Sequence, residues 1–253
     1  MSAPASPDLP PGLSHDEFLG GRVRVWQPGK GFRAGTDTVM LAAAVTAEPG
    51  QSALELGCGA GTASLCLAHR VADLAVTGVE KQPDYAALAR RNATENDLSV
   101  QVFTADITAM PAEIRTKSFD HVLANPPFFS AHAHKSPRDP GRREAHVDTE
   151  GGLAHWIDAG LRRLRPRGIL TMIQRAERMQ QILTHLAAHH CGDIAILPIA
   201  PRQNRPAGRV LIRVRKAARG PLTLLPPLVL HDGESNSPAA QNILRDAQAI
   251  RWT

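Results

Sequence analysis

The sequence predicts a doubly wound α/β fold, in which a seven-stranded, mostly parallel sheet is covered by helices on both faces. Three observations carry this expectation. Apolar runs of strand length alternate with segments of helical period through the middle of the chain, as they do where crossover helices join parallel strands. The first run ends in a glycine cluster and the next three reach Glu, Asp and Asn, the kind of strand end at which open sheets bind ligands. At 253 residues, with 43% hydrophobic and 21% charged residues, the chain can bury a full core and is not of disordered composition.

Taken in order, Ser52–Leu56 is the first strand and Thr62–His69 a helix. Ala75–Val79 is the second strand, ending on Glu80. Pro83 suits the first turn of a helix that continues through Tyr85–Asn96. Val100–Phe103 is the third strand, with Asp106 just beyond it, and Phe119–Ala124 is the fourth, closed by Asn125-Pro126-Pro127-Phe128. A helix over Leu153–Leu164 and a turn at Pro166–Gly168 lead to the fifth strand, Ile169–Gln174. Glu177–His190 is helical, and Ile194–Leu197 and Arg209–Arg215 are the sixth and seventh strands. Residues 1–17 read as a disordered leader, 18–50 as an N-terminal extension holding an Ala-rich helix, and 51–253 as the main domain. A tail after about residue 220 holds a short strand, a turn at Asp232-Gly233 and a terminal helix. Ser130–Glu150 is a long polar loop, a candidate substrate lid.

No run of about 18 apolar residues is present, so no membrane span is expected. The leader lacks the pattern of a signal peptide, and Cys58, Cys66 and Cys191 suggest no disulfide framework, so a cytoplasmic location is expected. The 29 Lys+Arg against 24 Asp+Glu give +5. Only Lys30, Lys81, Lys117, Lys135 and Lys216 are lysines, so the basic character is that of arginine, which suits phosphate contacts. His132, His134, His146 and His155 lie near the polar loop, but no metal-binding spacing accompanies them and no metal is expected.

The strand end Leu54-Glu55-Leu56-Gly57-Cys58-Gly59-Ala60-Gly61-Thr62 is Rossmann-like. A dinucleotide fingerprint would need a third glycine where Thr62 stands, and no G-K-[ST] phosphate loop is present. The observed G-x-G-x-G resembles motif I of class I methyltransferases. The resemblance implies that Glu55, Gly57, Cys58, Gly59 and Gly61 border the amino-acid half of S-adenosylmethionine. It also implies that Glu80 accepts hydrogen bonds from the ribose hydroxyls beside Lys81, and that Asp106 lies by the adenine amino group.

Asn125-Pro126-Pro127-Phe128 points to the chemistry. An exocyclic amino nitrogen has a delocalised lone pair and gains little from a general base. Two fixed acceptors holding its N–H bonds can aim that lone pair at a methyl donor. Asn125 offers its side-chain oxygen, Pro126 a rigid backbone carbonyl, and Phe128 a ring for stacking a flipped base. The tetrapeptide is similar to the N-P-P-[YF] of amino methyltransferases acting on adenine N6, cytosine N4, guanine N2 or protein glutamine. Gly31-Phe32-Arg33 and Thr36-Asp37-Thr38-Val39-Met40-Leu41, taken with that motif, most resemble the bacterial tRNA1(Val) adenine-N6 methyltransferases.

That resemblance, over about residues 18–215, implies methylation of tRNA, with S-adenosylhomocysteine as the second product. It also implies that Arg33, Thr36 and Asp37 line the cofactor pocket or its entrance; as an alternative, Thr36 or Asp37 caps the helix that follows. The RNA reading assigns phosphate contacts to Lys135, Arg138, Arg142 and Arg143, and to Arg202, Arg205, Arg209, Arg213 and Arg215. A protein substrate methylated on glutamine N5, rRNA guanine N2, and a non-catalytic cofactor-binding scaffold are the alternatives. The first normally needs a longer N-terminal helical bundle, and a scaffold has no need of Asn125.

Overall fold

The computed structural model describes residues 12–127 and 152–252. A hairpin of β1 (Leu13–Phe18) and β2 (Val23–Pro28) opens the chain, followed by α1 (Thr36–Ala44). The alternation then runs β3 (Ser52–Leu56), α2 (Thr62–Arg70), β4 (Ala75–Glu80), α3 (Pro83–Glu95), β5 (Val100–Thr104), α4 (Ala112–Arg115) and β6 (Phe119–Ala124). From residue 152 it continues with α5 (Gly152–Arg163), β7 (Leu164–Arg175), α6 (Met179–Ala187), β8 (Cys191–Arg202) and β9 (Arg209–Lys216). The tail adds β10 (Thr223–Leu224), β11 (Leu228–Asp232), β12 (Ser235–Asn236) and α7 (Pro238–Asp246).

The main sheet runs β12-β11-β8-β9-β7-β6-β3-β4-β5, with β10 also paired to β8. Strands β5, β4, β3, β6 and β7 are mutually parallel, and β9 is antiparallel to both neighbours. The expected mostly parallel, doubly wound sheet is therefore present, with ten strands instead of seven because the tail adds three short ones at one edge. Leu54, Leu56, Val122, Ala124, Leu170 and Met172 are buried in the central strands. Central parallel strands are covered on both faces, and this explains their continuous apolar sequence.

Three expectations change. Residues 13–17, read as part of a disordered leader, belong to β1, where Ser14, His15 and Asp16 pair with Gln27, Trp26 and Val25. The turn expected at Pro166–Gly168 lies inside β7, absorbed by a register shift against β6 and by Arg167 at φ +66°. The helix expected over Glu177–His190 is a 3-10 turn, Ala176–Arg178, followed by the shorter α6.

The hairpin docks through side chains. Asn92 on α3 is fully buried; its Oδ1 accepts from Trp26 N (2.8 Å) and its Nδ2 donates to Trp26 O (3.0 Å) and Ala60 O (2.9 Å). One turn later Asn96 makes the same reciprocal pair with the backbone of Arg24. The two amides occupy alternate residues of β2 much as a neighbouring strand would. The tail is tied to the end of α1, with Trp252 Nε1 donating to Ala44 O (2.8 Å) and Ile250 N to Ala43 O (2.8 Å). No helix of the described residues is long and apolar enough to cross a membrane.

Replacing Asn92 leaves two buried backbone groups of Trp26 unpaired. Asn92→Ala is expected to cost about 2–4 kcal/mol, read as a lower urea midpoint with an unchanged slope. A loss under about 0.5 kcal/mol, the range of ordinary surface changes, would show that the hairpin is held by other contacts.

Candidate functional site

The site begins with a register. In the parallel pairing of β3 and β6, Leu56 lies opposite Ala124. Gly57 and Asn125 therefore leave neighbouring strands side by side, at the carboxyl edge of the sheet. Gly57 takes φ +62°, and a Cβ there would lie 2.4 Å from the Trp156 ring, so only glycine lets α5 approach the turn this closely. Gly61 N donates to Cys58 O (2.8 Å) and Gly59 N to Glu80 Oε2 (2.8 Å). The second Glu80 oxygen accepts from Gln82 N (2.8 Å). Burial pushes the Glu80 carboxyl up from its ordinary range.

Glu55 lies beneath this turn. Its Oε2 accepts from Ser64 N (2.8 Å) and Ser64 Oγ (2.5 Å), tying β3 to the first turn of α2. It is fully enclosed, and burial raises its pKa to about 8, with the Glu80 charge adding to the rise. Cys58 is buried, and burial raises its thiol well above the ordinary value, so it is a packing residue and not a thiolate. Asp106 accepts from Thr108 N (2.8 Å) and Oγ1 (2.7 Å), which hold its carboxyl low, and Lys81 Nζ stands 3.3 Å from it.

After β6, Asn125 is half-buried, Pro126 buried and Pro127 exposed. Gln174, fully buried near the end of β7, donates from Nε2 to Pro126 O (3.3 Å), while its Oε1 accepts from Arg175 N (2.8 Å). A carbonyl oxygen has two lone pairs, so one remains for another donor. Sequence reasoning missed Gln174, whose trace was an amide closing the apolar run Ile169–Ile173. It also missed Trp156.

Two charged residues of the extension expected at the cofactor pocket are paired within the protein. Arg33 Nη2 meets both oxygens of Asp16 (2.8 and 2.7 Å). Asp37 pairs with Arg209 Nε (2.9 Å) in the first turn of α1, whose N-cap is Gly35, and Thr36 is exposed. Neither Thr36 nor Asp37 caps this helix. What the extension brings to the glycine turn is Phe32: its ring lies 3.7 Å from where a Gly59 Cβ would stand, and its carbonyl accepts from Tyr85 OH (3.0 Å).

Of the second arginine group, Arg202 donates to Gly233 O, Arg213 stacks on Trp252, and Arg215 pairs with Asp193. Phe128, Lys135, Arg138, Arg142, Arg143 and the whole Ser130–Glu150 lid lie outside the described residues.

A family model described as the methyltransferase small domain matches residues 32–138. A Porphyromonas gingivalis protein named tRNA1(Val) (adenine(37)-N6)-methyltransferase is 29% identical over 80% of this chain and 82% of its own. A Salmonella typhimurium release factor glutamine methyltransferase is 34% identical, over 47% of this chain and 44% of its own. The crystal structure of a predicted O-methyltransferase from Agrobacterium tumefaciens superimposes with a TM-score of 0.69 at 24% identity, covering 85% of this chain and 98% of that one. Fold, family match and relatives agree on the class: the protein is a methyltransferase that uses S-adenosylmethionine.

The raised Glu55 pKa makes a stability prediction. Between the ordinary value of 4.5 and about 8 the folded state holds a proton that the unfolded state releases, so stability falls as pH rises through this window. Glu55→Gln should flatten that decline. Denaturant unfolding at pH 6 and pH 9 measures it, and equal pH slopes for the two proteins would place the titration elsewhere.

Proposed function

We propose that the protein methylates the N6 amino group of adenine in tRNA. The carrying observation is that the Pro126 carbonyl, steadied by Gln174, leaves β6 beside Asn125 and the glycine turn. In this reading Gly57, Gly59 and Glu80 hold the cofactor, with Asp106 toward its adenine. The fit rests on the tight turn at the carboxyl edge of the sheet, with Gly57, Gly59 and Gly61 all at positive φ, and on a buried Glu80 carboxylate with acceptor capacity left over. The acceptor oxygens of Glu80 also suit a ligand that carries positive charge.

When bound, the cofactor supplies an electrophilic methyl group on a sulfonium. Asn125 Oδ1 and Pro126 O accept the two N–H bonds of the substrate amine and turn its lone pair toward that methyl. The methylated nitrogen then loses a proton to solvent. A base drawn from tRNA would stack on Phe128. The relatives named as tRNA adenine-N6 methyltransferases, matching most of this chain, favour adenine over glutamine. A tRNA substrate also implies a cytoplasmic location.

The deciding assay supplies labelled cofactor with either unmodified tRNA or a release factor. Label in tRNA adenine is expected, and label in release-factor glutamine would overturn the substrate. Asn125→Ala should lower kcat by about 10²–10³, the effect of losing one acceptor in a fixed polar site, while cofactor affinity is retained. Gln174→Leu should lower kcat by about tenfold at unchanged KM. Full activity in both variants would remove the amine-acceptor mechanism.

Salt dependence tests the RNA contacts. With Arg202, Arg209, Arg213 and Arg215 engaged within the protein, the phosphate contacts fall to the exposed Arg205 and to Lys135, Arg138, Arg142 and Arg143. Neutralising the last four should reduce the slope of log K against log salt by about 3. Arg215→Gln should leave it unchanged, and the reverse pattern would reassign the RNA-binding face.

A further inference from the structure

Apart from the residues proposed for methyl transfer, helices α5 and α6 bring three ligand-bearing side chains to one point. Asp158 lies on α5, His185 on α6, and His189 just past the end of α6. His185 Nε2 is 2.7 Å from Asp158 Oδ1, His189 Nε2 is 3.0 Å from the same oxygen, and the two Nε2 atoms are 3.3 Å apart. The imidazole rings are inclined at 59°, with centroids 5.0 Å apart. All three side chains are half-buried, with 27% to 34% of their surface exposed.

These separations have the size of the edges of a metal coordination shell. Ligands about 2.0–2.1 Å from a zinc ion stand about 3.3 Å apart in tetrahedral geometry and about 2.9 Å apart in octahedral geometry. An ion bonded at that length to all three atoms would sit about 1 Å off their plane, leaving its outer positions to water. A shared carboxylate oxygen explains why each imidazole turns toward Asp158. The two imidazole nitrogens are also within hydrogen-bond reach of each other, and that 3.3 Å separation is the edge length of a tetrahedral shell.

We propose that Asp158, His185 and His189 form a binding site for a borderline divalent cation of the Zn²⁺, Co²⁺ or Ni²⁺ type. Two imidazoles and one carboxylate select such ions over Mg²⁺ and Ca²⁺, which prefer all-oxygen shells. His185 also lines the groove between α5 and α6, which gives an ion a route from solvent. The site is structural: the ion clips α6 to α5 two residues from Trp156, whose ring rests on Gly57. No chemical step passes through it. The sequence carried only half of its signature, since His185 and His189 are four residues apart but Asp158 precedes His185 by 27.

The test uses the full chain, freed of metal and titrated with ZnCl₂ and with CoCl₂. Calorimetry is expected to give one high-affinity equivalent of Zn²⁺. Co²⁺ should give the visible bands of a site with nitrogen and oxygen ligands, and zinc should raise Tm because it binds only the folded state. His189→Gln and Asp158→Asn should each weaken binding at least tenfold and abolish the Tm rise. His189→Gln, a partly exposed position, guards against loss of fold, which the Tm of the metal-free variant reports directly. Unchanged zinc affinity in both variants, or no bound equivalent in the parent protein, would overturn the proposal.

Discussion

The register between β3 and β6 is the constraint on which the site depends. With Leu56 opposite Ala124, the glycine turn and the Asn125-Pro126-Pro127 turn leave adjacent strands about 4.8 Å apart. The register is specified because Leu54, Leu56, Val122 and Ala124 are all fully buried. A slip by one residue would exchange the side chains that pack into the two cores, one on either face of the sheet. The apolar core therefore sets how closely a bound cofactor and an amine can approach each other, before any polar residue takes part.

Around that register the polar groups are arranged in layers. Glu55 holds β3 to α2 through Ser64, and Glu80 holds the turn itself through Gly59. Both carboxyls are kept above their ordinary range by burial. Gln174 does for the proline turn what Glu80 does for the glycine turn: a buried side chain on a neighbouring strand fixes a backbone group that no ladder hydrogen bond could fix. Each turn is held by hydrogen bonds from the protein's own side chains, an ordering whose cost is met in folding.

The N-terminal hairpin and the C-terminal tail form the outer wall. Asn92 and Asn96 attach β2 to α3, Arg33 joins the loop after β2 to Asp16, and Asp37 joins the start of α1 to Arg209 on β9. Arg33 and Asp37 thus hold the loop between them in place, and what that loop presents toward Gly59 is the partly exposed ring of Phe32.

The sequence by itself determined the alternation, the central strands and the two turns, because their signals are local. A glycine with positive φ, a proline pair and an apolar run depend on a few neighbouring residues. Strands β3 and β6 were legible to the residue for that reason. Only the tertiary structure decided which polar residues belong to which partner. Arg209 reads as a phosphate ligand until Asp37, 172 residues earlier, is brought to 2.9 Å from it. Ser14 to Asp16 look like part of a leader until β2 supplies the other half of their hydrogen bonds. Gln174, Asn92 and the meeting of Asp158 with His185 and His189 share this character. Hydrogen bonds and ion pairs are made across space at about 3 Å, and sequence order carries no measure of that distance.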